Sequence, residues 1–296
     1  MKAASYVLVT PVRNEEGTIG ITIEAVIKQT VLPTEWVIVS DGSTDRTDEI
    51  VRTYAAKHPF LRLLRLDRRP SRNFASVVFA TEAGLAELKT TDSEFIGLLD
   101  GDIQFAENYY AEIMQRFAQD PKLGLAGGLV VDCIHGQRRR SVQSLGDVAG
   151  AVQFFRRECF AALGGLIALP EGGWDTITCV EARRHGYRTR TFPEIEVDHL
   201  KPRNVAEGGW LRRLRQMGVR EYALGYHPLF EVLKCGYRCF EYPFVVGGIM
   251  RLAGYCSGCL SRRKRLLAPE LVRFIRREQM RRIFPFGRSD PAGSQT

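Results

Sequence analysis

The sequence predicts an α/β fold: a Rossmann-like, mostly parallel central sheet with flanking helices, followed by a basic helical extension. Three observations carry this. Short apolar runs alternate with segments of helical period through the first hundred residues. Polar and acidic residues gather just after those runs. The charge balance then reverses near residue 200.

The elements follow in order. Tyr6-Val7-Leu8-Val9 is a short apolar run ending at Thr10-Pro11. Ile19, Ile23, Val26 and Ile27 recur at helical spacing. Trp36 to Val39 is a second buried strand, and Thr44 to Lys57 a helix. Leu61 to Leu66 is a third strand, Phe74 to Leu88 a helix, and Phe95 to Leu99 a fourth strand. Strands alternating with helices in this way form parallel sheets covered by helices. Beyond Leu123 the pattern loosens. Leu125 to Asp132 reads as a strand, Arg156 to Leu163 as a short helix stopped by Gly164-Gly165, and Thr176 to His185 as a helix stopped by Gly186.

The 296 residues are 45% hydrophobic, which suits one large domain with an appendage and excludes general disorder. The net charge of +8 is unevenly placed. Residues 1–200 hold 23 Lys/Arg against 27 Asp/Glu, and residues 201–296 hold 19 against 7, so the front is −4 and the back +12. A basic back favours an anionic partner. Met1 to Thr10 lacks the basic patch and long apolar run of a signal peptide. Seven cysteines form no disulfide framework, and a reducing compartment fits them best. The tail from Ser289 to Thr296 is small and polar, and is expected to be disordered.

In open α/β sheets ligands bind outside the carboxyl ends of the strands. Polar residues converge there: Arg13 to Glu16, Asp41 to Asp45, and Asp100 to Gln104. The loop Thr10-Pro11-Val12-Arg13-Asn14-Glu15-Glu16 carries groups that can hydrogen-bond a nucleoside, or it is a solvated strand-to-helix loop. In Ser40-Asp41-Gly42-Ser43-Thr44-Asp45, Asp45 suits helix capping, whereas Asp41, at the strand end, is the better ligand. Asp100-Gly101-Asp102 is the sharper signal. Carboxylates at i and i+2 on an extended chain point to one side, and Gly101 leaves backbone room between them. Their repulsion is relieved by a divalent cation bridging to a diphosphate, and hard oxygen ligands suit Mg²⁺ or Mn²⁺.

These three segments, in this order and spacing, resemble the nucleotide-binding half of family 2 glycosyltransferases, whose fold is GT-A. The likeness runs over about residues 5–200. It extends to Gly172-Gly173-Trp174-Asp175 with Glu181-Ala182-Arg183-Arg184-His185-Gly186-Tyr187, similar to the family's acceptor-side motif. The resemblance implies inverting transfer of a sugar from a nucleotide diphosphate-sugar (UDP, GDP or dTDP) to an acceptor hydroxyl. It divides residues 1–200 into a nucleotide-binding half, 1–104, and an acceptor half, 105–200. It implies that Thr10, Pro11, Arg13, Glu15, Asp41, Arg72, Asp100 and Gly101 bind the nucleotide. Asp102 then holds the metal, with His199, after Ile195-Glu196-Val197-Asp198, completing its shell. Trp174 and Glu181 face the acceptor, and Asp175 is the catalytic base. Many members have adjacent Glu-Asp at that motif, whereas here the second acid, Glu181, lies further along. An inverting transfer needs one group to take the acceptor's proton and another to stabilise the leaving diphosphate, so one carboxylate and one metal site form the minimal set. Asp175 would also serve as an N-cap.

The back end, residues 201–288, reads as a basic and apolar helical region. Phe240 to Leu260 is richly apolar but holds Glu241, Pro243, Arg251 and four glycines, which makes a poor spanning helix. Arg262-Arg263-Lys264-Arg265 follows, and then Leu271, Phe274 and Ile275 share a helical face amid arginines. This pattern predicts an interfacial anchor on an anionic membrane, at its cytoplasmic face. A membrane-seeking back end suits a glycan or polyprenyl-linked acceptor, as in bacterial polysaccharide assembly. Cys235, Cys239, Cys256 and Cys259 are expected as packed thiols rather than a zinc site.

Alternatives remain at this level. A nucleotidyltransferase would carry a Gly-rich basic loop near the N-terminus, where this chain has two glutamates. A nucleic-acid-binding protein would interleave aromatics with arginines, which the back end does not do, so no nucleic acid partner is expected. A catalytically inactive nucleotide-binding member is disfavoured by the intact Asp41, Asp100, Asp102 and Asp175.

Overall fold

The computed structural model describes residues 4–67, 73–134, 137–140, 144–201, 209–240 and 244–284. The chain divides into two compact units at residues 203/204. Arg72 and the tail 289–296 lie outside the described residues.

The first unit opens with β1 (Tyr6–Val12), α1 (Ile19–Ile27), β2 (Glu35–Asp41), α2 (Thr47–Ala55), β3 (Leu61–Leu66), α3 (Ala75–Ala86) and β4 (Phe95–Leu99). The four strands pair in parallel in the order β3-β2-β1-β4. Side chains alternate across the sheet, so each apolar run feeds two cores. Tyr6, Leu8, Trp36 and Ile38 enter one, while Val9, Val37, Val39 and Leu98 enter the other. Burial on both faces explains why the runs read as continuously apolar.

The unit continues with β5 (Ile103–Phe105), α4 (Tyr109–Gln119), β6 (Leu123–Ile134), β7 (Gln137–Arg140), β8 (Val152–Arg156), α5 (Arg157–Leu163), α6 (Trp174–Arg184) and β9 (Arg188–His199). The sheet order becomes β3-β2-β1-β4-β8-β6-β9-β5, with β7 paired to β6. Here the sheet turns mixed. β8 runs antiparallel to both β4 and β6, whereas β6 and β9 are parallel. The sequence shows strands but not their direction, which long-range pairing sets. Residues on both sides of position 104 therefore share one continuous sheet. The antiparallel β5–β9 pair sets Ile103 opposite His199, carrying the residue after Asp102 to the end of β9.

The second unit holds α7 (Trp210–Ala223), α8 (Pro228–Arg238), α9 (Val246–Leu260) and α10 (Pro269–Ile283). Among the described residues no helix is long and apolar enough to cross a membrane. The apolar face expected on the basic helix is not open as expected. Leu271 and Ile275 of α10 are buried, and Gln279 one turn on accepts the His227 amide at 2.8 Å. That face is covered by protein, as the burial of all three residues shows.

Candidate active site

Two strand-end loops are stitched together before any ligand is considered. Asn14, in the left-handed region at φ 55°, takes the Thr44 amide on its side-chain oxygen at 2.9 Å. The Glu15 amide donates to Thr47 Oγ1 at 2.8 Å, and the Glu16 amide to Asp45 Oδ2 at 3.0 Å. Asp45 also takes the Thr47 amide at 3.0 Å, but the capping expectation is corrected: Arg46 is the N-cap of α2, and Asp45 stands one residue before it. This fastening fixes Arg13 and Asp41 in the wall of a pocket, with Arg13 Nη1 3.6 Å from Asp41 Oδ2. Among the described residues no hydrogen bond reaches buried Asp41 Oδ1 or Arg13 Nη1. Burying unpartnered polar atoms is costly, so their partners are expected from a ligand.

The same pocket is lined by Pro11, Glu15, Asp100, Gly101 and Asp102. Asp100, Asp102 and His199 bring ligand atoms within 4.8 Å of one another. His199 Nε2 lies 3.6 Å from Asp102 Oδ1, while Nδ1 meets the Lys201 carbonyl. A carbonyl only accepts, so Nδ1 donates to it and the ring is held with Nε2 facing the carboxylates. Such a backbone partner is how ligating histidines are oriented. Burial raises the Asp102 carboxyl above its ordinary value, His199 draws it down, and Glu15 adds to the rise. Two carboxylates and an oriented imidazole fit a divalent cation, which would offset the cost of burying that charge. Lys201, from beyond β9, reaches Glu15 Oε2 at 2.6 Å.

Asp175 lies in the first turn of α6, one residue after its start. The capping expectation is corrected: Gly172 and Gly173, at φ 82° and 91°, bring the helix in one residue early, and Gly173 is the N-cap. Asp175 Oδ1 accepts the Thr176 amide at 2.8 Å, and buried Gln153 holds the Asp175 carbonyl at 3.2 Å. A Cβ on Gly150 would stand 2.7 Å from the Trp174 ring and 3.3 Å from Asp175 Cβ. Next to Gly150, the Ala151 carbonyl accepts the Asp100 amide at 3.0 Å. One backbone step therefore links the acid of α6 to the paired carboxylates.

Other expected residues meet partners within the protein. Thr10 is wholly buried, and its hydroxyl accepts the Trp36 indole N–H at 2.9 Å, so its side chain builds the core. Strand alternation turns it away from the pocket that Pro11 lines. Trp174 is half-buried against Gly150 and the second core. Glu181 sits further along α6, paired to Arg184 at 2.6 Å. Sequence reading missed Ser76, Val77 and Ala80 of α3, which close the pocket, and Lys201. A signal for α3 existed: Ser76, Ala80 and Gly84 form a small-residue ridge at i, i+4, i+8 that lets the helix lie close on the sheet.

Comparison with known proteins adds the lineage. The model of glycosyl transferase family 2 matches residues 7–164. A 4,4'-diaponeurosporenoate glycosyltransferase of Staphylococcus aureus is 40% identical over 52 residues, 18% of this chain and 14% of that protein. An uncharacterized glycosyltransferase of Mycoplasma pneumoniae is 33% identical over 88 residues, 29% of this chain and 27% of that one. The matches thus span under a third of these relatives' length. Among solved structures, the mannosyltransferase PcManGT from Pyrobaculum calidifontis, in complex with GDP-Man and Mn²⁺, has TM-score 0.60 over 87% of each chain at 18% identity. S. aureus TarS 1–349 in complex with UDP-GlcNAc has TM-score 0.51 at 16% identity, over 87% of this chain and 73% of that one. At such identities the likeness speaks for the fold. With the family match covering over half of its residues, this chain belongs to glycosyl transferase family 2 and is a glycosyltransferase of the GT-A fold.

Proposed function

We propose that the chain moves a sugar, with inversion, from a nucleotide diphosphate-sugar to a hydroxyl of a lipid-linked glycan, with Mn²⁺ or Mg²⁺ as cofactor. The observation that carries this is the pocket: a half-buried Arg13 beside buried Asp41, each with a buried atom that takes no hydrogen bond among the described residues, and the Asp100, Asp102, His199 group together. Asp41 offers an acceptor and Arg13 a donor. That pair complements a ring N–H beside a carbonyl, as in uracil, thymine and guanine. Cytosine and adenine present a bare nitrogen there. Asp100, Asp102 and His199 would hold the cation, which supplies Lewis-acid stabilisation of the leaving diphosphate. Asp175 takes the acceptor's proton, and Trp174 and Glu181 border the acceptor. The acceptor reading rests on the basic back end, which suits an anionic membrane surface at its cytoplasmic face.

A donor screen by thermal shift, with UDP, GDP, dTDP and CMP and Mn²⁺, tests the donor. One nucleoside diphosphate is expected to stabilise the fold by about 2.7 kcal/mol at a hundredfold excess over its dissociation constant, with CMP inert. No stabilisation by any diphosphate sinks the reading. Gly150→Val tests the positioning of Asp175. The added side chain must displace Trp174 and Asp175, and a misplacement near 1 Å costs about 10²-fold in turnover. Steady-state kinetics should show kcat falling by that order with the donor dissociation constant unchanged. A kcat within a factor of two of the parent would detach α6 from the chemistry.

A further inference from the structure

We propose that the α8/α9 helix pair inserts into one leaflet of an anionic phospholipid membrane without crossing it. This deepens the membrane reading given above, on which it rests, by naming the inserting element.

The observation is that both helices are built inside out. In water, charged residues face out and apolar ones face in. On α8 the exposed positions are Leu229, Val232, Leu233 and Tyr237, with Pro228 and Gly236, while Glu231 is 0% exposed. On α9 the exposed positions include Val246, Ile249, Ala253 and Leu260, whereas its one charged residue, Arg251, is 8% exposed. No exposed position of either helix is charged. The inner charges neutralise one another. Arg251 Nε donates to Glu221 Oε2 of α7 at 2.8 Å, and Lys234 Nζ lies 2.9 Å from Glu221 and 2.6 Å from Glu231. Charges are buried as partners while apolar side chains are left outside, the arrangement a hydrocarbon solvent favours.

The helix packing is of the same kind. A Cβ on Gly218 of α7 would stand 1.8 Å from the Arg251 carbonyl oxygen, and one on Gly254 of α9 would stand 2.0 Å from that of Arg215. Backbones touch with little side-chain filling between them. Gly254 and Gly258 repeat the four-residue spacing by which helices associate in lipid. Length limits the depth. At 11 and 15 residues, α8 and α9 are both shorter than the roughly 20 needed to span. Charge complementarity selects the occupant. Directly after Leu260, 86% exposed, come exposed Arg262, Arg263 and Lys264, a rim of one sign suited to anionic headgroups.

The test is sedimentation of the full chain with phosphatidylglycerol/phosphatidylcholine vesicles at low salt and at about 1 M salt, where the screening length is about 3 Å. The parent is expected in the pellet under both conditions. A Val232→Glu/Ile249→Glu variant should raise the unbound fraction at high salt by at least about tenfold, since a charge held at hydrocarbon depth is costly. Both positions are exposed, so nucleotide-induced thermal shift should be unchanged and reports that the fold persists. If salt releases the parent as fully as the variant, insertion is wrong while the electrostatic membrane reading survives. If the parent stays in the supernatant even at low salt, the membrane reading fails and insertion with it. If the substitutions leave sedimentation unchanged but convert a dimer to a monomer, a second copy covers this face and the proposal is overturned.

Discussion

Asp175→Asn is expected to lower turnover by roughly 10²–10⁴-fold, the range for losing a general base, with donor affinity nearly intact. The substitution removes a proton acceptor and little else. Asn keeps an oxygen for the Thr176 amide that Asp175 Oδ1 now accepts, and the Asp175 carbonyl stays fastened by Gln153. Helix entry does not depend on the carboxylate either, because Gly173 occupies the cap. A loss of rate therefore reports chemistry rather than a frayed α6. Glu181→Gln is the matched control. Its carboxylate is already engaged by Arg184, and the change is expected to leave turnover within a few-fold of the parent. Single-turnover kinetics at saturating donor separates the two. Normal rates in Asp175→Asn, with a collapse in Glu181→Gln, would exchange their roles.

The parallel half of the fold was legible because its strands are buried on both faces. Tyr6 to Val9 and Trp36 to Val39 have no exposed surface, and such strands must be written as unbroken apolar runs. The positions of Asp41 and Asp100 followed from the same runs, since a ligand end begins where the apolar letters stop. The direction in which Thr10 faces was not legible, for a related reason. It stands among residues that do line the pocket, but strand alternation turns its hydroxyl to Trp36, and the sequence shows adjacency without facing. The mixed half was harder to read. β8 enters between β4 and β6 through long-range pairing that no local pattern encodes. Lys201 was missed because its role is set by where β9 ends against β5, which brings it to Glu15 across 186 positions of sequence. The back end shows the opposite limit. Its apolar letters were visible, but the periodicity of α8 alone does not say which face lies inward. Only the buried Glu231 and its partners reveal that the charged face does.

Asp102→Ala is expected to abolish the metal dependence of nucleotide binding while the fold survives. Asp102 follows β4 and precedes β5, and its backbone carbonyl, which accepts the Leu200 amide at 2.8 Å, is untouched by the change. Its side chain meets His199 at 3.6 Å and is pushed toward protonation by burial, so removing it relieves a cost rather than breaking a structural pair. Loss of outer-shell partners alone typically weakens a metal site 10–100-fold, so loss of a carboxylate ligand should cost at least about 10²-fold in Mn²⁺ affinity. Arg13 and Asp41 remain, and residual metal-independent binding of the nucleoside is expected from them. Calorimetric titration with nucleoside diphosphate, with and without Mn²⁺, reads both effects. His199→Ala should fall between the parent and Asp102→Ala, because it removes a neutral ligand and leaves both charges. An Asp102→Ala protein whose nucleotide affinity still rises with Mn²⁺ as in the parent would remove the cation from this trio, and with it the assigned stabilisation of the leaving diphosphate.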